Sequence, residues 1–251
     1  MILLAIDQRA IAHLTIDNQS RLNVLDRSHL RDLADRIGEL ASDPTLRAVV
    51  VSGAGGKAFI GGADVREMSR LGQAGAREFI TLLHRCCEGL RNLPFPSIAA
   101  ICGYALGAGL EIAASCDLRI ASETARVGMP EVRVGIPSVI EAALLPRLIG
   151  WGRASRLLLL GETYEAREAE RWGLLDQVVP TQDLAAAVEK TIGAILQAGP
   201  NAIRLQKKLM RRWEELPLAA AIEAGIESFA EAYVADEPRI MMAAFLNRPR
   251  E

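Results

Sequence analysis

Three short stretches of this sequence hold residue types from which a catalytic site could be assembled. The first is Lys57-Ala58-Phe59-Ile60-Gly61-Gly62-Ala63-Asp64-Val65-Arg66-Glu67-Met68. Glycines there can leave backbone N–H groups free for a ligand oxygen. The plainer alternative is a tight turn closed by an Asp N-cap, and the stretch lacks the G-x-x-x-x-G-K-[ST] pattern of a nucleotide loop. The second, Gly103-Tyr104-Ala105-Leu106-Gly107-Ala108-Gly109-Leu110-Glu111, leads small residues into an apolar helix. A helix start offers unpaired N–H donors and a positive dipole end. Glu111 would lie within its first turn or so, and a carboxylate in apolar surroundings is either functional, paired or a capping group. The third, Gly128-Met129-Pro130-Glu131-Val132-Arg133-Val134-Gly135-Ile136-Pro137, is a loop held by two prolines. Rigid loops often carry catalytic groups, although Glu131 could equally be solvated or paired with Arg126 or Arg133.

If the two carboxylates converge on one water, that water can add across a polarised double bond. One acid takes a proton and the other gives one. Two convergent N–H groups would stabilise the oxyanion that forms, which is usually the largest single catalytic contribution.

The elements that must position these residues can be read from the rest of the chain. It has 251 residues, half of them hydrophobic, 24% charged and 4% aromatic, with a net charge of −2. Such a length suffices to bury roughly 70–75% of the chain's surface, and the composition excludes a disordered chain. The charge supplies no overall field for nucleic acid. Cys86, Cys87, Cys102 and Cys116 show no C-x-x-C spacing, and His13, His29 and His84 are scattered, so no metal site is expected. The cysteines read as small core residues in a reducing compartment, and with no leader at the start a cytoplasmic location is expected. The apolar run at 97–115 is long enough to suggest a membrane span. Its glycines, flanking proline and Glu111 favour buried core.

Short apolar runs at 2–7 and 10–17 predict a hairpin. Strands are expected at 46–51, 98–102 and 117–121, and helices at 27–41, 75–92 and 107–115. From residue 138 onward the pattern reads almost wholly as helix, at 139–149, 153–160, 166–172, 184–197, 201–213, 218–235 and 238–246. Alternation up to about residue 180 implies parallel βαβ-type units, with a helical extension after them.

Together and in this order, the three stretches resemble the crotonase family, the enoyl-CoA hydratase/isomerase superfamily. The likeness also includes Arg21-Leu22-Asn23-Val24-Leu25, Val49-Val50-Val51-Ser52-Gly53, the 169–178 segment and the terminal helices. It implies an α/β fold, a crotonase-like spiral of ββα units with a C-terminal helical trimerisation region. That divides the chain into an α/β core at 1–195 and a helical region for oligomerisation at 196–251. The implied substrate is an acyl-CoA thioester, with no cofactor beyond the coenzyme A that the substrate carries. The implied assembly is a homotrimer or a dimer of trimers, without a membrane. By position, the family's oxyanion-hole amides fall on Ala63 and Ala108, the latter replacing a usual glycine, and its two hydratase glutamates fall on Glu111 and Glu131. Coenzyme A would run along Ala63, Asp64, Val65 and Arg66 past Ala108. Tyr233 and Arg248 are candidates to reach the nucleotide, from this chain or a neighbouring subunit. Arg66 is equally readable as a solvated charge, and Tyr233 as core.

The implied reaction is hydration of a 2-enoyl-CoA to a 3-hydroxyacyl-CoA, a lyase reaction. Alternatives within the family are a Δ3,Δ2-enoyl-CoA isomerase or another acyl-CoA enzyme. Where similar hydratases continue Pro-Gly-x-Gly-Gly-Thr-Gln-Arg, this chain reads Pro137-Ser138-Val139-Ile140-Glu141-Ala142-Ala143-Leu144-Leu145-Pro146-Arg147. The bulkier residues are expected to reshape the acyl end of the pocket. Glu141 reads more readily as a first-turn helix residue than as a catalyst. A rival from another class, an RNA-binding relative, rests on Lys207-Lys208-x-x-Arg211-Arg212. Leu205 and Leu209 give that helix an apolar stripe, so a solvated basic face is the simpler reading.

Overall fold

Leu30, Leu33, Ile37 and Leu40 recur at helical spacing, and all four are buried on one face of helix α1 (Arg27–Ala41). Asp26 caps it by accepting from the Ser28 and His29 N–H groups. The same logic gives α3 (Gln73–Asn92), which buries Phe79, Leu83, Cys86, Cys87 and Leu90. The two helices pack together against one face of a six-stranded sheet.

That sheet contains β1 (Ile2–Ile6), β2 (Ile11–Ile16), β3 (Ala48–Gly53), β5 (Ser97–Ile101), β7 (Leu118–Ser122) and β10 (Gln177–Val179), in the order β1-β2-β3-β5-β7-β10. Only the β1–β2 hairpin is antiparallel. Because β3 is covered on both faces, its apolar run Ala48-Val49-Val50-Val51 is continuous rather than alternating. The second face is covered by α7 (Leu184–Gln197), whose Val188, Ile192 and Ile195 pack on Ile11, Val50, Ile98 and Ile120. The computed structural model describes residues 1–247.

A second, smaller sheet joins β4 (Ala58–Ile60), β6 (Tyr104–Leu106), β8 (Arg126–Gly128) and β9 (Thr163–Glu165), in that order. β4, β6 and β8 are mutually parallel, and β9 closes the edge antiparallel. Sequence pattern alone reads β4 and β6 as glycine-rich loop, since three-residue strands are too short to show a period. After the β1–β2 hairpin and α1, three successive turns of the chain place their first strand in the large sheet and their second in the small one, then add a helix. β3 and β4 lead to α2 (Val65–Met68) and α3, β5 and β6 lead to α4 (Ala108–Ser115), and β7 and β8 lead toward α5 (Leu145–Leu160). This is the expected spiral of ββα units.

Beyond residue 138 the chain is less helical than its pattern suggests. The helix expected at 139–149 is a 3₁₀ turn over Ile140–Leu144 followed by α5, which Gly150 interrupts with φ 76°. β9 and β10 also interrupt the run, around α6 (Ala166–Trp172). The segment 97–115 forms β5, β6 and α4, and among the described residues no helix is long and apolar enough to cross a membrane.

After α7 come α8 (Pro200–Trp213), α9 (Leu218–Ala232) and α10 (Glu237–Leu246). The expected solvated basic face of α8 forms only in part: Lys208 and Arg212 are exposed and Arg211 is half-buried. Lys207 is buried, with Nζ donating to Asp117 Oδ2 at 2.6 Å and to the Phe95 carbonyl at 2.9 Å. Lys208 pairs with Glu231, Arg211 with Glu214 and Arg212 with Glu227. Each of these four cations thus has an acid of the same chain within 4 Å. Lys207→Met should strand Asp117 and the Phe95 carbonyl without their cation and destabilise the protein by about 3 kcal/mol. Urea denaturation checks this.

Candidate functional site

β4, β6 and β8 lie side by side and point the same way, so the chain leaves all three at one edge of the small sheet. Ligands of parallel sheets commonly bind beyond such strand ends. Gly61-Gly62-Ala63 follow β4, Gly107-Ala108 follow β6, and Met129-Pro130-Glu131 follow β8. All three sequence motifs therefore reach one cavity of about 600 Å³, whose wall includes Ala63, Ala108, Glu111 and Glu131.

The backbone around Ala63 is tied on both sides. Leu25 N–H donates to the Gly62 carbonyl at 2.9 Å, and Asp64 N–H donates to the Leu25 carbonyl at 2.8 Å. Ala63 N–H between them has no acceptor among the described residues. Ala108 is the first residue of α4, where an N–H has no intrahelical partner, and it too lacks an acceptor among the described residues. Gly107, at φ 51°, precedes it. A Cβ at that position would collide with the Glu131 carboxylate, so glycine is required both for the conformation and for the acid's position.

Glu111 is only 4% exposed. It does not cap its own helix; its Oε1 instead accepts from Ala142 N–H at 3.2 Å. Burial, and next the charge of Glu131, push its carboxyl up to about 8, while the Ala142 bond pulls the other way and Glu141 adds to the rise. Glu131 sits in the 3₁₀ turn Pro130–Val134. Burial raises its carboxyl above the ordinary value, opposed by the hydroxyl of Ser138, which donates to Oε2 at 2.9 Å. Glu131 has no arginine partner among the described residues. Arg126 bonds Glu165, and Arg133 Nε donates to the Leu160 carbonyl. Two acids whose carboxyls are both raised thus face a cavity with a mostly apolar wall, which includes Met68, Leu71, Phe79, Ile80 and Leu83 together with Arg77 and Ser138.

The other expected residues separate. Val65 lines the cavity. Asp64 turns away, accepting from Arg21 at 2.8 Å and from Arg66 N–H at 2.9 Å. Burial would raise its carboxyl, but these bonds outweigh it and hold it low. Arg66 is exposed and outside the cavity wall. Tyr233, at the end of α9, is half exposed rather than core, stacks on Phe229 and does not line the cavity. Arg248 lies outside the described residues. Among the described residues no group of His, Cys, Asp and Glu could hold a metal ion.

Sequence reasoning missed Ser138 and the Ala142 N–H as partners of the two acids; the signal available was the departure from glycine at 138–141. Ser138 and Val139 do enter the cavity wall, whereas Ile140 packs on the core. Ile140 adopts φ 41°, a left-handed conformation that is costly for a β-branched residue. Glu141, next along, is in the first turn of the 3₁₀ element as expected, and it is buried.

Comparison with known proteins identifies relatives over nearly the whole chain. The family model described as "Enoyl-CoA hydratase/isomerase" matches residues 7–250. The short-chain-enoyl-CoA hydratase of Clostridium acetobutylicum is 36% identical over 95% of this chain and 92% of its own. The crotonyl-CoA hydratase of Syntrophomonas wolfei is 34% identical over 96% of this chain and 93% of its own. A crystal structure of enoyl-CoA hydratase from Mycobacterium smegmatis superposes with a TM-score of 0.95 at 28% identity, covering 99% of this chain and 98% of that one.

The raised carboxyl of Glu111 carries a stability cost with a defined sign. The folded state binds its proton more tightly than the unfolded one, so stability declines as pH rises from about 4.5 to about 8. Glu111→Gln removes that decline. Its stability relative to the parent should climb across this window and level off above about 8, as urea midpoints against pH would register.

Proposed function

The chain belongs to the enoyl-CoA hydratase/isomerase family, and from that premise we propose that its cavity adds water across the double bond of a 2-enoyl-CoA to give a 3-hydroxyacyl-CoA. The observation that carries this reading is the meeting of Glu111 and Glu131 with the free N–H groups of Ala63 and Ala108 at one cavity. The two amides receive the thioester oxygen and stabilise the enolate charge; a donor of this kind is worth about 3–4 kcal/mol of barrier. Water oxygen bonds to the β-carbon and its proton passes to Glu111, while Glu131 delivers its own proton to the α-carbon. The pair enters and leaves the reaction carrying one proton. Ser138 holds Glu131, and Ala142 holds Glu111.

The apolar face of α3, through Phe79, Ile80 and Leu83, supports an acyl chain running along that helix. Coenzyme A would pass Ala63, Val65 and Ala108 at the cavity, with Arg66, Tyr233 and Arg248 as outer contacts. No group beyond that coenzyme is required. α9, α10 and the turn between them expose Ile226, Phe229, Val234, Ile240 and Phe245, an apolar surface that supports assembly as a homotrimer or a dimer of trimers.

Glu111→Gln and Glu131→Gln should each lower hydration of crotonyl-CoA by about 100-fold or more. Full activity in either variant removes that residue from the mechanism. Faster turnover of a 3-enoyl-CoA than of a 2-enoyl-CoA would make the protein an isomerase instead. Because the pair must hold one proton, kcat/KM should fall once the pH exceeds about 8, the value to which burial and the Glu131 charge push the Glu111 carboxyl. A pH–rate profile reads that limb directly.

A further inference from the structure

Behind Glu111, outside the cavity, lies a third carboxylate that the proposed mechanism does not use. Glu141 is 4% exposed, and its Oε2 is buried with no hydrogen-bond partner. Its Oε1 lies 2.9 Å from Nδ1 of His84, a partly exposed residue of α3 whose Nε2 is 3.8 Å from Glu88. The next residue, Ala142, supplies the N–H that holds Glu111. One short turn therefore grips the catalytic acid and also places a charge behind it. Building on the hydratase reading, we propose that Glu141, tethered by His84, is a positioning residue that sets how tightly Glu111 holds its proton.

The groups around this pair are few. Glu111 faces Glu131 from the third motif and Glu141 from the 3₁₀ turn. Glu141 faces His84 and the Cys87 thiol from α3 and Glu111 from α4. The thiol is driven far up by burial, then by Glu141 and Glu111, and stays neutral. From α5, Arg147 bonds the Glu214 carbonyl, Arg153 bonds the Trp172 carbonyl and Arg156 approaches Glu162, so no cation from that helix pairs with Glu141. His84 is the only donor to Glu141 among the described residues. With that donor gone, the carboxylate is no longer held in place behind Glu111, so removing His84 is expected to act in the same direction as removing the carboxylate itself.

The test compares wild type, Glu141→Gln, His84→Phe and the double variant. Both single variants should move the upper limb of the pH–rate profile for crotonyl-CoA hydration downward by about half a pH unit or more, about threefold in acid dissociation constant. The double variant should move it no further than either single one, because the two residues act as a unit. The infrared carboxyl band that disappears in Glu111→Gln should titrate with the same shifts. That band is followed without substrate, so a protein that fails to hydrate crotonyl-CoA still answers the question. Unchanged limb and band in Glu141→Gln, or lower turnover with an unshifted profile, would overturn the assignment in favour of a purely structural role. Additive shifts in the double variant would overturn the part assigned to His84.

Discussion

Two carboxyl groups cannot both be charged at small cost beside an apolar cavity, and the arrangement of this protein follows from that restriction. Burial penalises each charge, and the proximity of Glu131 penalises Glu111 further. The result is a pair that keeps one proton under conditions where isolated carboxylates would keep none. A shared proton that can reside on either side of a substrate is what addition of water requires. The same restriction fits the way the acids are gripped among the described residues, by the Ala142 N–H and the Ser138 hydroxyl rather than by arginines. A full ion pair would pull the proton off and leave nothing to deliver.

Holding two acids and two free amides at one point is a demand on the backbone. The small sheet meets it by aligning β4, β6 and β8 so that three distant stretches of chain end together. Gly107 then allows the chain to leave β6 in a left-handed conformation with no side chain in the place taken by Glu131. The large sheet and its two helical layers supply the burial that keeps this edge rigid. Rigidity matters because unsolvated donors act on an oxyanion only if they need not reorganise when it forms.

The segment after Pro137 shows how the environment of one acid is altered without moving it. Isoleucine at a left-handed position stores strain, of the order of 1–3 kcal/mol for such a residue, in the turn that presents both the Ala142 N–H and the Glu141 carboxylate. Strain of that size persists only where surrounding packing over-determines it. Here Ile140 packs on the main core while Glu141 is anchored to α3.

Much of this was readable in the residues themselves. The apolar periods of 27–41 and 184–197 predicted α1 and α7 to the residue, because a buried face leaves a repeating trace. The three motifs were legible as chemistry because glycines, a prolyl loop and an out-of-place glutamate are local signatures. The four-stranded sheet was not, since its strands are three residues long and owe their pairing to neighbours far along the chain. Nor was Lys207, whose burial depends on Asp117 and the Phe95 carbonyl. The order of the motifs alone carried the family resemblance, and through it singled out Glu111 and Glu131. Which hydroxyl and which amide hold those acids, how far their protons are retained, and which third carboxylate stands behind them were decided by tertiary structure, because desolvation and charge coupling act through space and leave no period along the chain.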